Sequence, residues 1–325
     1  MAGPVRLGAF ALFTLSILAG ASLSYAQAYP SRPIRAIVPF AAGSATDQIA
    51  RSFSARMTES LGQPIVVENR PGANGMIGAD AVAKALPDGY TILFGTNSTN
   101  AALKSLMKKL PYDQDTAFTP IGYMGSVPLI VAVNNDFPAK TLAELIALAK
   151  AKPGEVTFAT ASTSQRISSE MLAGMAGIRM THVPYKSSPN AITDLIGGQV
   201  NMFTADFAVM LPQVKAGKVR ALAVTSTKRA AVAPDLPTVN EAAGLKDYEL
   251  IAFFGAYGPA AMPRDIVQKL NDAINAAARS KEVLDRFSAL GMETAPGTPE
   301  AFAQRTALEA VKWAKAIRDS GIEPE

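Results

Sequence analysis

Short runs of β-forming residues alternate with stretches of helical period along almost the whole chain, and this alternation constrains the fold more than any other feature. It is the pattern of an α/β protein, a largely parallel sheet covered by helices. The strand candidates are Ile34 to Phe40, Ile65 to Glu68, Thr91 to Gly95, Ile121 to Val133, Val156 to Ala159, Met180 to Pro184, Asn201 to Thr204, Ala221 to Thr225 and Leu250 to Tyr257. Between the first two, Ile49, Phe53, Met57 and Leu61 recur at four-residue intervals and predict a helix with one buried stripe. Further helices are expected at Leu142 to Lys150 and around Ile167, Met171 and Met175. Ser188-Pro189 reads as an N-cap followed by proline at the first helical position, with Gly197-Gly198 stopping that helix near Ile196. Arg264 to Arg279, Lys281 to Leu290 and Pro299 to Asp319 complete the helical set.

Arg6 precedes an apolar run from Leu7 to about Ala21, and Ser24-Tyr25-Ala26 has the small residues of a signal-peptidase site. Residues 1 to 26 are therefore expected to be a signal peptide cleaved after Ala26, with Ala28 as the second choice, and the mature protein to be soluble in a bacterial periplasm. The apolar run is shorter than the roughly 18 to 20 residues of a membrane span. What remains is long enough for two domains with cores of ordinary size. The chain has no cysteine, so it has no disulfide framework, thiol nucleophile or lipid-anchor cysteine. Its net charge of +4 is mild and scattered, and with one tryptophan it offers no nucleic-acid surface.

Two segments repeat one piece of physics. In PFAAGSATDQ, Ser44 followed three residues later by Asp47 suits a helix N-cap with a carboxylate at the positive dipole end. In FATASTSQRISSEM, Ser162-x-x-Gln165 has the spacing of a capping box. Unpaired N–H groups at such helix starts bind anions at the carboxyl edge of a sheet. The two starts either face one cleft from different lobes or are ordinary strand-to-helix turns in separate places.

Several separated motifs then agree. YPSRPIRAIVPFAAGSATDQIAR, LGQPIVVENRPGANGMIGADAVAKALPDGYTILFGTNST, LPYD, MTHVPYK, DLIGGQV, LPQVKAGKVRALAVTS and PDLPTVNEAAG occur in order over essentially the whole mature chain. In these the chain resembles the Bug family, the extracytoplasmic solute receptors of tripartite tricarboxylate transporters. The resemblance implies a type II-like periplasmic-binding-protein fold, two α/β lobes with a central ligand cleft and crossing hinge strands. It places one lobe at 29 to 126 plus 250 to 325 and the other at 127 to 249. It implies a receptor without cofactor or catalysis that closes over a small organic carboxylate, and with the split lobe pattern and no obvious exposed apolar helix for self-association the protein is expected to be a monomer. Citrate-like tricarboxylates, C4 dicarboxylates, amino acids and nicotinate-like or terephthalate-like aromatic acids are all compatible. The implied partner is a membrane transporter of the tripartite type, or a membrane sensor kinase reading the same closed lobes.

The family's first anion loop corresponds to Pro39 to Asp47, giving Phe40, Gly43, Ser44, Ala45, Thr46 and Asp47 as ligand-binding candidates. Relatives often have a glycine pair where this chain has Gly43-Ser44. The second loop corresponds to Ala159 to Ser169, giving Ser162, Thr163, Ser164 and Arg166. Asn97 and Ser98 come from the Thr-rich segment after the third strand, and Asp206 from the acidic position after the GGQV strand. Thr204 stands where relatives have an aromatic residue. If Arg166 reached across the cleft, its planar fork would select a diacid over a monoacid.

Other chemistry has little to build on. His182 is the only histidine, so zinc-type sites lack a ligand set, although an all-oxygen ion site stays open. The RPGANGMIGAD segment has Gly72, Gly75 and Gly78 at three-residue spacing without the dinucleotide fingerprint, and reads as a tight turn. The rival function is a secreted hydrolase of a small ester or amide, with Ser98 or Ser164 as nucleophile.

Overall fold

The computed structural model describes residues 29–324, and the expected leader with its cleavage site lies outside them. Among the described residues no helix is long and apolar enough to cross a membrane. The first elements are β1 (Ile34–Val38), α1 (Ala45–Leu61), β2 (Ile65–Asn69), α2 (Met76–Ala83) and β3 (Thr91–Thr96). β1 pairs in parallel with both β2 and β3. Its IRAIV sequence is buried at every position but Arg35, the continuous apolar run of a strand covered on both faces. α1 buries Ile49, Phe53, Met57 and Leu61, the stripe the spacing predicts. Each such side chain contributes about 1.5 to 3 kcal/mol of burial free energy. Gly62 ends α1 at φ 68°, and its N–H closes on the Thr58 carbonyl.

Then follow α3 (Leu103–Leu106), β4 (Phe118–Asn134), α4 (Leu142–Ala151), β5 (Thr157–Thr160), α5 (Thr163–Ala176), β6 (Thr181–Pro184), α6 (Ser188–Ile196), β7 (Met202–Asp206), α7 (Phe207–Lys215), β8 (Val219–Val224), α8 (Val239–Ala243), β9 (Ile251–Pro259), α9 (Arg264–Arg279), α10 (Lys281–Ala289) and α11 (Pro299–Asp319). The strands lie in the order β2-β1-β3-β9-β4-β7-β5-β6, with β8 also on β4. β9 fits between β3 and β4 and is antiparallel to both. β4 serves two neighbourhoods: Phe118 to Pro128 pairs with β9, and from Leu129 onward the same strand pairs with β7 and β8. On the far side β5 is parallel to β6 and β7. The arrangement is two sheets joined through β4, as expected of crossing strands.

All nine expected strands form, with ends shifted by a few residues. The cap of α6 is Ser187 rather than Ser188: the Ser187 hydroxyl accepts from the Asn190 N–H, and Ser188 and Pro189 occupy the first turn. The short helices α2, α3, α7 and α8 carry no clear periodic stripe, and α7 contains Pro212, so pattern reading passes over them. The glycine segment is a turn, with Gly72 at φ 131° and Gly75 at φ 93°. Gly78 lies in α2, where an added Cβ would stand 2.8 Å from the Pro39 Cα; its absence lets α2 press directly on the loop that follows β1.

Candidate functional site

The loops after β1, β3, β5 and β7 end at one narrow cavity of about 20 Å³. It lies at the carboxyl ends of these strands, where open α/β sheets bind ligands. Phe40, Ser44, Ala45 and Thr46 line it from the first loop and Thr96, Asn97 and Ser98 from the third strand and its extension. Ser162, Ser164 and Gln165 enter from the start of α5, Ser188 from the start of α6 and Asp206 from the end of β7. Ala252 and Phe254, alternate residues of β9, close the wall.

The first loop is ordered by Asp47. The Gly43 N–H donates to Asp47 Oδ2 at 3.0 Å, and the Asp47 N–H donates to the Ser44 hydroxyl at 3.3 Å. Asn69 Nδ2 donates both to Asp47 Oδ1 at 2.9 Å and to the Phe40 carbonyl at 3.0 Å, tying β2 to the loop. Arg51 pairs with the same carboxylate at 3.0 Å from the following turn. Burial pushes the Asp47 carboxyl up, but the hydrogen bonds from Arg51, Gly43 and Asn69 outweigh it and hold the group below its ordinary value. Gly43 takes φ 79°, a conformation that favours glycine, whereas Ser44 is extended at φ −66°, ψ 163°. A second glycine is therefore unnecessary, and serine supplies the cap that glycine could not.

The second loop is built differently from a capping box. Ser162 occupies the N-cap but makes no capping hydrogen bond, and its hydroxyl lies 3.1 Å from that of Ser164. Gln165 Oε1 instead accepts from the Ala161 N–H at 2.7 Å, and its Nε2 donates to the Ser188 hydroxyl at 3.0 Å and to Asp206 Oδ2 at 3.5 Å. The first N–H groups of α5 are thus left without a side-chain cap at the cavity.

Asn97 is fully buried. Its Oδ1 accepts from the Phe253 N–H at 3.2 Å, which fixes the orientation of the amide, and its Nδ2 has no partner. Asp206 is 6% exposed and, among the described residues, is the only titratable side chain lining the cavity. Burial pushes its carboxyl up to about 6, against hydrogen bonds from its own N–H and from Gln165.

Of the candidates from sequence, Phe40, Ser44, Ala45, Thr46, Asn97, Ser98, Ser162, Ser164 and Asp206 come together around the cavity. Gly43, Asp47, Thr163 and Arg166 are not among its lining residues. The first two shape the loop from behind, and Thr163 is buried within α5. Arg166 is half-buried, and its charge acts on Glu170 one turn along α5. Thr96, Gln165, Ser188, Ala252 and Phe254 complete the lining beyond the expected set. Thr204 accepts a hydrogen bond from Ser169 at 3.3 Å, away from the cavity; the aromatic wall comes from Phe40 and Phe254. The His182 ring stacks on Phe158, its Nε2 is 2.6 Å from the Thr160 hydroxyl, and it does not line the cavity beside Ser98 or Ser164. Among the described residues no group of His, Cys, Asp and Glu is arranged to hold a metal ion.

Residues 49–322 match the family described as tripartite tricarboxylate transporter family receptor. Three solved structures share the fold. Rpa4515 of R. palustris, solved with adipate, is 33% identical with a TM-score of 0.88, over 91% of this chain and 100% of that one. The periplasmic binding protein BugD is 35% identical with a TM-score of 0.87, over 91% and 100%. MatC of Rhodopseudomonas palustris, with bound malate, is 32% identical with a TM-score of 0.85, over 89% and 100%.

Proposed function

The chain belongs to the tripartite tricarboxylate transporter receptor family, and from that membership we propose that it captures a small organic carboxylate in the periplasm and presents it to a tripartite transporter. The observation that carries this reading is the orphaned Asn97 amide: a fully buried N–H₂ group with no protein acceptor, on a residue lining the cavity that also receives the starts of α1 and α5. A buried donor without a partner costs about 1 to 3 kcal/mol, which an incoming oxygen recovers. Ser44, Ser98, Ser162, Ser164 and Ser188 add hydroxyls that turn to suit the ligand. Three or four hydrogen bonds to a carboxylate, at roughly 1.5 to 3 kcal/mol each, suffice for the about 8 kcal/mol of micromolar binding after association costs.

In this reading one lobe comprises residues 29–126 with 250–325 and the other 127–249, and they close on the ligand as a monomer. Contacts across the division support closure as the mode of capture: Pro189 packs where a Cβ on Gly43 would stand 3.5 Å away, and Lys312 pairs with Glu249 at 2.6 Å. The expected leader at residues 1–26 supplies the export route. Adipate in Rpa4515 and malate in MatC make aliphatic diacids the first class to test.

The experiment is a thermal shift of the mature protein with adipate, malate, citrate, aspartate, nicotinate and terephthalate. At 100 times its dissociation constant a ligand adds about 2.7 kcal/mol to the folded state, which raises the melting temperature measurably. No shift with any acid at pH 5.5 or 8 would refute carboxylate capture.

A further inference from the structure

We propose that Asp206 binds as the neutral acid and that the receptor takes up one proton with each dicarboxylate anion it captures, the Asp206 O–H donating to a ligand oxygen. This rests on the carboxylate-receptor reading and specifies how that site handles charge.

The geometry poses a problem that protonation solves. The cavity receives two helix starts and neutral donors from Asn97, Gln165 and serines, all suited to an anion, yet one carboxyl stands among them. Among the described residues no cationic side chain lines the cavity to balance it. Its single side-chain partner is Gln165 Nε2 at 3.5 Å, a long contact. The strands flanking β7, β4 and β5, carry no charged residue. On the other elements around the cavity, α1 carries Asp47 paired with Arg51, α5 carries Arg166 acting on Glu170, α6 carries Asp194 bonded to Tyr185, and α7 carries only Lys215 in its last turn. None of these lines the cavity. Burial, against the hydrogen bonds from its own N–H and from Gln165, already brings the empty-site carboxyl up to about 6. A second negative charge arriving in the same space raises its proton affinity further, because two neighbouring carboxylates resist joint ionisation. The protonated carboxyl then becomes one more donor in a site made of donors.

The sign of the linkage follows. With the occupied-site value above the empty-site value of about 6, affinity is highest and flat below pH 6. It falls up to tenfold per unit as pH rises towards the occupied-site value, and is flat again beyond it.

The test is calorimetric titration with adipate from pH 6 to 8.5, repeated in phosphate and in Tris, whose different ionisation heats count the protons exchanged. Wild type is expected to take up close to one proton within the falling window and to weaken at least tenfold across the range. Asp206→Asn, which keeps a donor but cannot titrate, is expected to bind with a flat profile and no proton uptake. Heat of binding without proton uptake in wild type would overturn the proposal while leaving the receptor reading intact. Absence of binding with every acid of the panel would remove both. Tighter binding of aspartate than of succinate without proton exchange, lost in Asp206→Asn, would make Asp206 the partner of an ammonium group and also overturn it. Should that variant fail to fold, the proton count and the carboxyl ¹³C shift of labelled wild-type aspartate decide the matter alone.

Discussion

At the start of α1 the third residue, Asp47, accepts from the N–H of Gly43, and at the start of α5 the third residue, Gln165, accepts from the N–H of Ala161. The two ends share one backbone device and differ in charge. Asp47 is ionised behind the loop, where Arg51 compensates it and it does not line the cavity. Gln165 stands in a lining that, among the described residues, contains no cation, and its amide turns a donor towards Asp206. The chain thus uses a carboxylate where its charge is neutralised out of sight of the ligand, and an amide where any charge would be felt.

Gln165→Glu breaks this division most directly. It places a carboxylate against Asp206 with no counterpart of Arg51, and carboxylate affinity at pH 8 should fall at least about 100-fold, roughly 3 kcal/mol. Unchanged affinity in calorimetry would mean that α5 does not face the ligand. Asp206→Asn should act oppositely on the empty protein. A carboxyl raised from 3.8 to about 6 makes the wild type lose stability as pH rises through that interval. The variant should therefore melt higher at pH 8, by on the order of 2 to 3 kcal/mol, and equally at pH 3.

Asn97→Leu removes the donor common to both halves of the comparison and should weaken carboxylates by about 1.5 to 3 kcal/mol, ten- to a hundredfold. Its melting curve separates this from the loss of the Phe253 hydrogen bond. Ala45→Pro tests the α1 end alone, because proline is accepted at the first helical position but lacks the N–H. A uniform loss of about 1.5 kcal/mol across all carboxylate ligands is expected, and unaltered affinities in the folded variant would exclude this loop as an anchor. The smallest effect belongs to Asp47→Asn. Its depressed carboxyl stabilises the fold above the ordinary carboxylate value of 3.8, and that contribution fades as pH falls below it. The variant should melt about 1 kcal/mol less stable at pH 7, with the gap narrowing as pH falls below 3.8.

The strands were legible because apolar runs covered on both faces are short and continuous, as in β1. The first anion loop was legible because Ser44 and Asp47 stand at cap spacing. Gln165 was visible as a residue three places after a serine, but the same spacing serves a capping box or a cavity-facing amide, and only the position of Ser188 and Asp206 distinguishes them. Ala252 and Phe254 reach the cavity from β9, far along the chain from the loops. Their alternation in Leu250 to Tyr257 marks one strand face, yet which face meets the ligand depends on a crossing that local pattern does not specify.

β9 lies between β3 and β4, although the chain makes it only after both, and after every strand on the far side of β4. Until residues 251–259 leave the ribosome, the inner edges of two finished strands have no neighbour. The centre of the sheet therefore cannot be completed by β3 and β4 alone: it needs the last strand of the chain.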